Sequence, residues 1–192
     1  MNKDDIPSDL MACITFHGHL CPGLAIGYSA AKIALEKLKK KKARDEEMVC
    51  ITQTDSCAVD AIQFMTGCTL GKGNLIFQDF GKMVFIFLRR TNRCPAIGLR
   101  LSLNQQVMKK RLRGIGRKDK EAAARALLRV SGESLFNVRE IKKYPLPERA
   151  RIFPSQPCAS CGEPTIEPRL RLENGKLVCP ECTRHNYSRG WL

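Results

Sequence analysis

Two of the three histidines in this 192-residue chain lie close to a cysteine, in the run "FHGHLCPG". His17, His19 and Cys21 would point the same way if the chain enters the following helix as an extended strand, because residues i, i+2 and i+4 of a strand share one face. Pro22 disfavours a helical backbone at Cys21, which makes Cys21 the expected N-cap of that helix. The partial positive charge at a helix start favours a thiolate there.

A second cysteine has a similar position in the run "TDSCAVDA". Cys57 falls in the first turn of another predicted helix, Asp60 lies one turn further on the same face, and Cys68 follows the end of that helix. If the two helix starts converge, the imidazoles, thiolates and carboxylate form a candidate site for zinc or iron rather than magnesium. In the alternative interpretation, the histidines bond to backbone carbonyls and the cysteines fill the core.

The C-terminal part of the chain contains two C-x-x-C pairs separated by seventeen residues. The four cysteines are Cys158, Cys161, Cys179 and Cys182. Such paired knuckles supply the four thiolates of a structural zinc site, with two disulfides or a rubredoxin-like iron site as alternatives. Asn174-Gly175 between the pairs is typical of a hairpin turn. A helix after the second pair would make a treble clef and a third strand a zinc ribbon, with His185 on the surface in either case.

The elements that must position these residues form an α+β pattern. The periodicity of apolar residues predicts four helices, at residues 22–42, 56–67, 101–112 and 118–130. We expect Asp55 or Ser56 to cap the second of these helices and Gly67 to end it. Short β-branched or apolar runs predict strands at residues 48–54, 75–78, 83–90 and 136–141. The expected core is a mixed or antiparallel sheet packed with helices.

A proline-rich run, "YPLPERARIFPSQPC", indicates a boundary between two domains. We expect an α+β core domain at residues 1–145, a linker at 146–157 and a zinc-finger domain at 158–192. A segment as small as the last one needs its metal in order to fold, so its zinc is expected to be structural.

The net charge of +14 comes from 33 basic and 19 acidic residues. The chain from Cys158 onward has five basic and four acidic residues, so about +13 lies on the first 157. The basic runs at residues 39–44 and 109–120 lack interleaved aromatics, which favours solvated helix faces over nucleic-acid binding. The longest apolar run has six residues, against about 20 for a membrane span. We expect a soluble, cytoplasmic protein, in which ten cysteines without a secretion signal are not a disulfide framework.

The runs "FHGHLCPGLAIG", "TDSCAVDAIQFMTGCTLGKGNL" and "DFGKMVFIF" resemble three hallmark segments of the family named after the E subunit of formylmethanofuran dehydrogenase. They occur in order within residues 16–87, and the C-terminal cysteines resemble the treble-clef domain of some family members. The resemblance implies an α+β core, often a homodimer, and a link to the molybdenum- or tungsten-dependent oxidoreductase of methanogenic archaea. It also implies functional roles for the group His17, His19, Cys21, Cys57, Asp60 and Cys68.

Three functions are consistent with these patterns. The first is a metal-binding accessory subunit or small metalloprotein of molybdenum- or tungsten-dependent one-carbon metabolism, with structural zinc and a second transition metal. The second is a thiol-based enzyme or sulfur carrier, in which Cys21 or Cys57 is the nucleophile and His17 or His19 its base. The third is a nucleic-acid-binding regulator that uses the zinc finger. The sequence does not decide whether the chain is itself an enzyme or a component of a formylmethanofuran dehydrogenase-like oxidoreductase.

Overall fold

A mixed five-stranded sheet with helices packed against it forms the first of two units in the chain, Met1–Ala150 and Arg151–Leu192. The computed structural model describes residues 6–39, 41–90 and 96–184. Helices of the first unit are α1 (Ser8–His17), α2 (Pro22–Lys37), α3 (Ala58–Thr66), α4 (Gln105–Leu112), α5 (Lys120–Leu128) and α6 (Gly132–Leu135). Its strands are β1 (Met48–Thr52), β2 (Leu75–Phe77), β3 (Val84–Arg89), β4 (Ala96–Leu103) and β5 (Phe136–Tyr144).

The strands are arranged in the order β2-β1-β3-β4-β5. Strands β1 and β2 pair in parallel, with Cys50 opposite Leu75, and every other neighbouring pair is antiparallel. Helix α3 connects the two parallel strands, as parallel pairing requires a crossover. The expected α+β class with a mixed sheet is confirmed.

Alternating residues of the sheet enter two different cores. On one face, Phe85 and Phe87 of β3 pack with α2, α3 and α5 in the main hydrophobic core. On the other face, Val84 and Ile86 join a smaller apolar cluster that Tyr144 partly covers. The main core therefore lies under α2 and α3, at whose starts Cys21 and Cys57 lie, whereas Leu10 and Cys13 of α1 belong to a separate apolar cluster.

Three elements of the first unit were not predicted from the sequence: α1, β4 and the short helix α6. Only the segment from His17 to Cys21 was expected to be extended, and helix α1 before it was not predicted. The apolar residues Leu10 and Cys13 of α1 are buried at helical spacing, and Gly18 ends the helix with a left-handed backbone (φ 98°). Strand β4 was not predicted, and residues 101–103 were expected to be helical. The helix instead begins after Asn104, whose side chain accepts hydrogen bonds from the backbone N–H groups of Gln106 and Val107.

Smaller corrections concern element ends and connections. Helix α2 ends at Lys37 rather than residue 42, and Lys39 has a positive φ of 48°. Cys57 occupies the N-cap position of α3 without a capping side chain, so the expected caps Asp55 and Ser56 were wrong. Gly67 ends α3 in a left-handed conformation (φ 71°), as expected.

The described residues of the second unit, 151–184, form two small hairpins. Its strands are β6 (Ser155–Pro157), β7 (Pro164–Ile166), β8 (Arg171–Glu173) and β9 (Lys176–Val178), with a short 3-10 helix at Glu167–Arg169. Strands β8 and β9 meet at Asn174-Gly175, where both residues have positive φ, as predicted for a tight hairpin turn. The expected helix after the second cysteine pair and His185 lie outside the described residues.

Candidate metal sites

The turn between α1 and α2 brings together the two histidines and Cys21. His17 is the last residue of α1, Gly18 reverses the chain, and Cys21 is the extended N-cap of α2 (φ −141°, ψ 165°). One potential ligand atom from each of His17, His19 and Cys21 lies within 4.8 Å of the others. The expectation that a strand aligns these side chains was wrong, because a helix end and a turn bring them together.

His17 is held by a carboxylate from another helix. Its Nδ1 lies 2.6 Å from Oδ2 of Asp60 in α3, and its side chain is only 10% exposed. Its Nε2 lies 3.7 Å from Sγ of Cys21, and its ring centroid is 4.7 Å from that of His19. A carboxylate on one ring nitrogen fixes the orientation of an imidazole and leaves the other nitrogen free to bind a metal.

The two cysteines at helix starts have different environments. Cys21 is buried, and its Sγ accepts a hydrogen bond from the backbone N–H of Leu24 at 3.4 Å. Cys57 is exposed as a residue. Desolvation, together with the neighbouring Cys21 thiol, raises the pKa of Cys57 above its ordinary value. The raised pKa favours the neutral thiol of Cys57, opposite to the effect expected from the helix start.

Two glycines of α2 allow the N-termini of α2 and α3 to meet. A Cβ atom built on Gly27 would lie 2.0 Å from the backbone oxygen of Ala58, and one on Gly23 would lie 2.9 Å from Cβ of Cys57. The helix backbones are thus in direct contact, which places Asp60 beside the end of α1. Sequence reasoning missed these residues, although two glycines spaced four apart on one helix face signal a close helix crossing.

Cys68 does not join this group. It follows Gly67 at the opposite end of α3 and is fully buried, and its thiol donates a hydrogen bond to the backbone oxygen of Met48 at 3.5 Å. Desolvation raises its pKa to about 11. This environment suits a neutral core thiol.

The four C-terminal cysteines form a second group of potential ligands. One atom from each of Cys158, Cys161, Cys179 and Cys182 lies within 4.8 Å of the others. Sγ of Cys161 is 4.0 Å from Sγ of Cys179. Zinc–sulfur bonds of about 2.3 Å in a tetrahedron require sulfurs about 3.8 Å apart, so this arrangement fits a metal ion and not a disulfide.

The backbone of the second unit prepares one of these thiols for metal binding. Backbone N–H groups of Cys161, Cys179 and Ser160 lower the pKa of Cys158 to about 6. The N–H groups of Ser160 and Cys179 lie 3.4 Å and 3.2 Å from its sulfur. Because a metal binds the thiolate form, these hydrogen bonds favour metal binding at neutral pH.

Among the described residues, no helix combines the length and the apolar character needed to cross a bilayer.

The comparisons with known proteins identify the family of this chain. A crystal structure from Syntrophus aciditrophicus, of a protein like the E subunit (FmdE) of tungsten formylmethanofuran dehydrogenase, superposes with a TM-score of 0.64 at 21% identity, over 90% of this chain and 89% of that one. A relative from Archaeoglobus fulgidus, described as a probable S-adenosyl-L-methionine-binding protein, is 29% identical over 93% of this chain. The chain spans about half (53%) of that curated relative. The family model described as "FmdE, Molybdenum formylmethanofuran dehydrogenase operon" matches residues 16–142, and the chain belongs to this family.

Proposed function

We propose that this chain is a metalloprotein that binds an exchangeable transition metal at the α1–α2 turn and a structural zinc ion in its second unit. The observation that carries the proposal is the geometry of His17. Asp60 holds its Nδ1 at 2.6 Å, and its Nε2 faces Sγ of Cys21 at 3.7 Å. A histidine bound to carboxylate on one side and facing a sulfur on the other is a preorganised metal ligand.

The proposed ligands of the first site are His17, His19 and Cys21. Nitrogen and sulfur ligands favour zinc or iron over magnesium. Three protein ligands leave one coordination position open, which is the arrangement of metal sites that exchange a water or a substrate. Cys57 lies beside Cys21 and is exposed, so its thiol can bind the metal at the fourth coordination position or restrict access to that position.

The proposed context is molybdenum- or tungsten-dependent one-carbon metabolism. The family description and the related crystal structure both refer to formylmethanofuran dehydrogenase, which supports a role as an accessory subunit of such an oxidoreductase. In that role, the first site presents a metal to a partner or a substrate, and the chain need not carry out the redox step.

We also propose that the chain forms a homodimer. Phe16 is 57% exposed, Met11 is 41% exposed, and the Phe16 ring lies 5.9 Å from that of Phe64. Phe16 directly precedes His17, so the pair of Phe16 and Phe64 rings offers an apolar surface next to this ligand. Light scattering after size-exclusion chromatography should give twice the monomer mass. The substitution Phe16→Ser should reduce the measured mass toward that of the monomer. A monomer at all concentrations would contradict this part of the proposal.

Thiol chemistry at Cys57 has less support than metal binding. Its pKa is raised, so little thiolate is present at neutral pH. Alkylation separates the two functions. Metal-bound Cys21 should resist iodoacetamide until a chelator is added, whereas rapid labelling of the metal-loaded protein at mildly acidic pH would favour a nucleophilic cysteine.

Elemental analysis of the full chain tests the metal proposal directly. We expect two metal equivalents per chain, and Cys21→Ser or His17→Ala should remove one of them. With cobalt as the probe, wild-type protein should show thiolate-to-cobalt absorption from both sites, and Cys21→Ser should retain only the absorption of the second unit. One equivalent that is insensitive to both substitutions would overturn the first site.

A further inference from the structure

A cavity of about 980 Å³ lies between the start of α2 and the segment that runs from α4 into α5. Pro22, the residue that follows Cys21, contributes to its lining. One wall of the cavity therefore lies a single residue from a proposed metal ligand. Its volume is within the range of pockets that bind small molecules.

The floor of this cavity is apolar. Met108 and Leu112 of α4 are half-buried and pack against the main hydrophobic core, and Ile115 beyond the helix is half-buried as well. The core holds Met108 and Leu112 in place, so this part of the floor can contact an apolar ring or chain without first becoming ordered.

The rim of the cavity is strongly basic. The lining contains no aspartate or glutamate. It contains five basic residues, Lys109, Lys110, Arg113, Arg117 and Lys120. Within residues 6–39, 41–90 and 96–184, the ion pairs found involve none of these five. The run at residues 109–120 was expected to be solvated, and its basic residues are exposed. Five of the seven basic side chains in the run line this concave surface.

We infer that this cavity binds a small organic anion that carries two or more phosphate or carboxylate groups on an apolar ring or chain. The rim cations would bind the anionic groups, and the floor would contact the apolar part. The inference rests on the proposed function only in that Pro22 places the ligand beside the metal at Cys21. The chain would then hold an anionic substrate or cofactor against its first metal site.

The fluorescent nucleotide trinitrophenyl-ATP is a suitable probe, because it combines a triphosphate with an aromatic body. We would titrate it into the metal-loaded full chain at about 0.15 M salt, where weak surface electrostatics are screened. Saturable binding is expected. The double substitution Arg113→Gln/Arg117→Gln should weaken binding by about tenfold or more, since it removes two charge-assisted contacts.

Two further variants separate a shaped site from general charge. The pair Lys142→Gln/Lys143→Gln removes the same charge from exposed positions of β5 outside the cavity lining, and it should change the dissociation constant by less than about twofold. Ile115→Trp keeps every cation but fills part of the cavity, so it should also weaken binding. Circular dichroism checks that each variant is folded.

Several results would overturn the inference. These are the absence of saturable binding, equal weakening by the β5 pair, and tighter binding of a 20-nucleotide RNA that depends on the same arginines. Displacement of the probe by S-adenosylmethionine at lower concentrations than by ATP would also overturn it, because a cationic sulfonium does not match a basic rim. Metal content is measured in parallel, so loss of the first metal site and loss of anion binding are recorded separately.

Discussion

In the first unit, the candidate ligands His17, His19 and Cys21 lie where α1 ends and α2 begins, whereas in the second unit four cysteines lie beside two short hairpins. The apolar core of the first unit includes many residues from α2, α3, β3 and β4. In the described part of the second unit, the apolar cluster is Cys158, Val178 and Cys179, with Cys182 packed against it.

This difference means that the metal and the fold depend on each other in opposite ways in the two units. In the first unit, packing assembles the ligands, so the fold supports the site. In the second unit, the ligands are most of the core, so a bound metal would support the fold. A preformed site can keep an open coordination position, and a fold that depends on its metal needs all four ligands engaged.

The largest expected effect is the removal of the second metal. Cys179→Ser, or treatment of the protein with a strong chelator, should unfold residues 151–192 and leave the first unit folded, because structural zinc contributes about 10 kcal/mol or more to such small folds. Hydrogen exchange would show loss of protection in β6, β7, β8 and β9, with protection retained in β1 to β5. Cys21→Ser is the matched control and should leave that protection unchanged. Protection that survives complete metal removal would contradict the comparison.

Gly27→Ala should damage the first site through the fold that supports it. The new Cβ would overlap the backbone oxygen of Ala58, so α2 must move away from α3, at a cost of about 3 kcal/mol in the free energy of unfolding. Urea denaturation followed by circular dichroism measures the loss, and elemental analysis should show less metal at the first site. Gly71→Ala, where the added Cβ meets open space, should change stability by less than about 0.5 kcal/mol.

Asp60→Asn tests the carboxylate that orients His17. The substitution keeps the shape of the side chain but removes its charge, and loss of such a partner weakens metal binding about 10- to 100-fold. Competition with a chromophoric chelator measures the affinity of the first site. Asp55→Asn, an exposed carboxylate that precedes the same helix, is the control and should have no effect. An equal loss in both variants would mean that general charge, rather than the bond to His17, matters.

A pH series contrasts the thiols of the two units. Burial raises the pKa of Cys50 well above its ordinary value of 9.0, with a further contribution from neighbouring Cys68, whereas backbone N–H groups lower the pKa of Cys158. Above about pH 9 the unfolded chain releases a proton that folded Cys50 retains. The contribution of Cys50 to the free energy of unfolding is therefore complete below pH 9. Above pH 9 this contribution falls by about 1.4 kcal/mol per pH unit.

Urea denaturation between pH 8 and pH 10.5 measures this effect. Cys50→Ala should flatten the decline, even if its stability at pH 8 is lower. An unchanged slope in the variant would show that other groups cause the alkaline loss.

Local signals in the sequence were sufficient for several elements. Pro22 and the apolar stripe after it predicted α2, and Gly67 predicted the end of α3. Strand β4 was missed even though Leu99, Leu101 and Leu103 alternate with polar residues, because the helical pattern of the following residues was extended backward over it. The capping side chain of Asn104 was the signal that separates the two elements.

The geometry of the first site depended on long-range packing. The bond between His17 and Asp60 joins residues 43 positions apart, and nothing in the spacing of either motif specifies it. The convergence of the two helix starts was an expectation, but its cause, the glycine crossing, was not recognised. The cysteine pairs of the second unit could be predicted without knowledge of long-range packing, because the two cysteines of each C-x-x-C pair are close in sequence.

The crossing at Gly27 fixes the number of residues between Cys21 and Gly27, which matters for protein engineering and for comparing sequences. Each residue added to or removed from a helix rotates the remainder of that helix by about 100°. An insertion between Cys21 and Gly27 would therefore turn the glycine contact away from α3 whenever the cysteine kept its place at the end of the helix. A chain that preserves the spacing C-P-G-x-x-x-G can keep this crossing even where the surrounding residues have diverged, and one that alters the spacing must build its ligand group in another way.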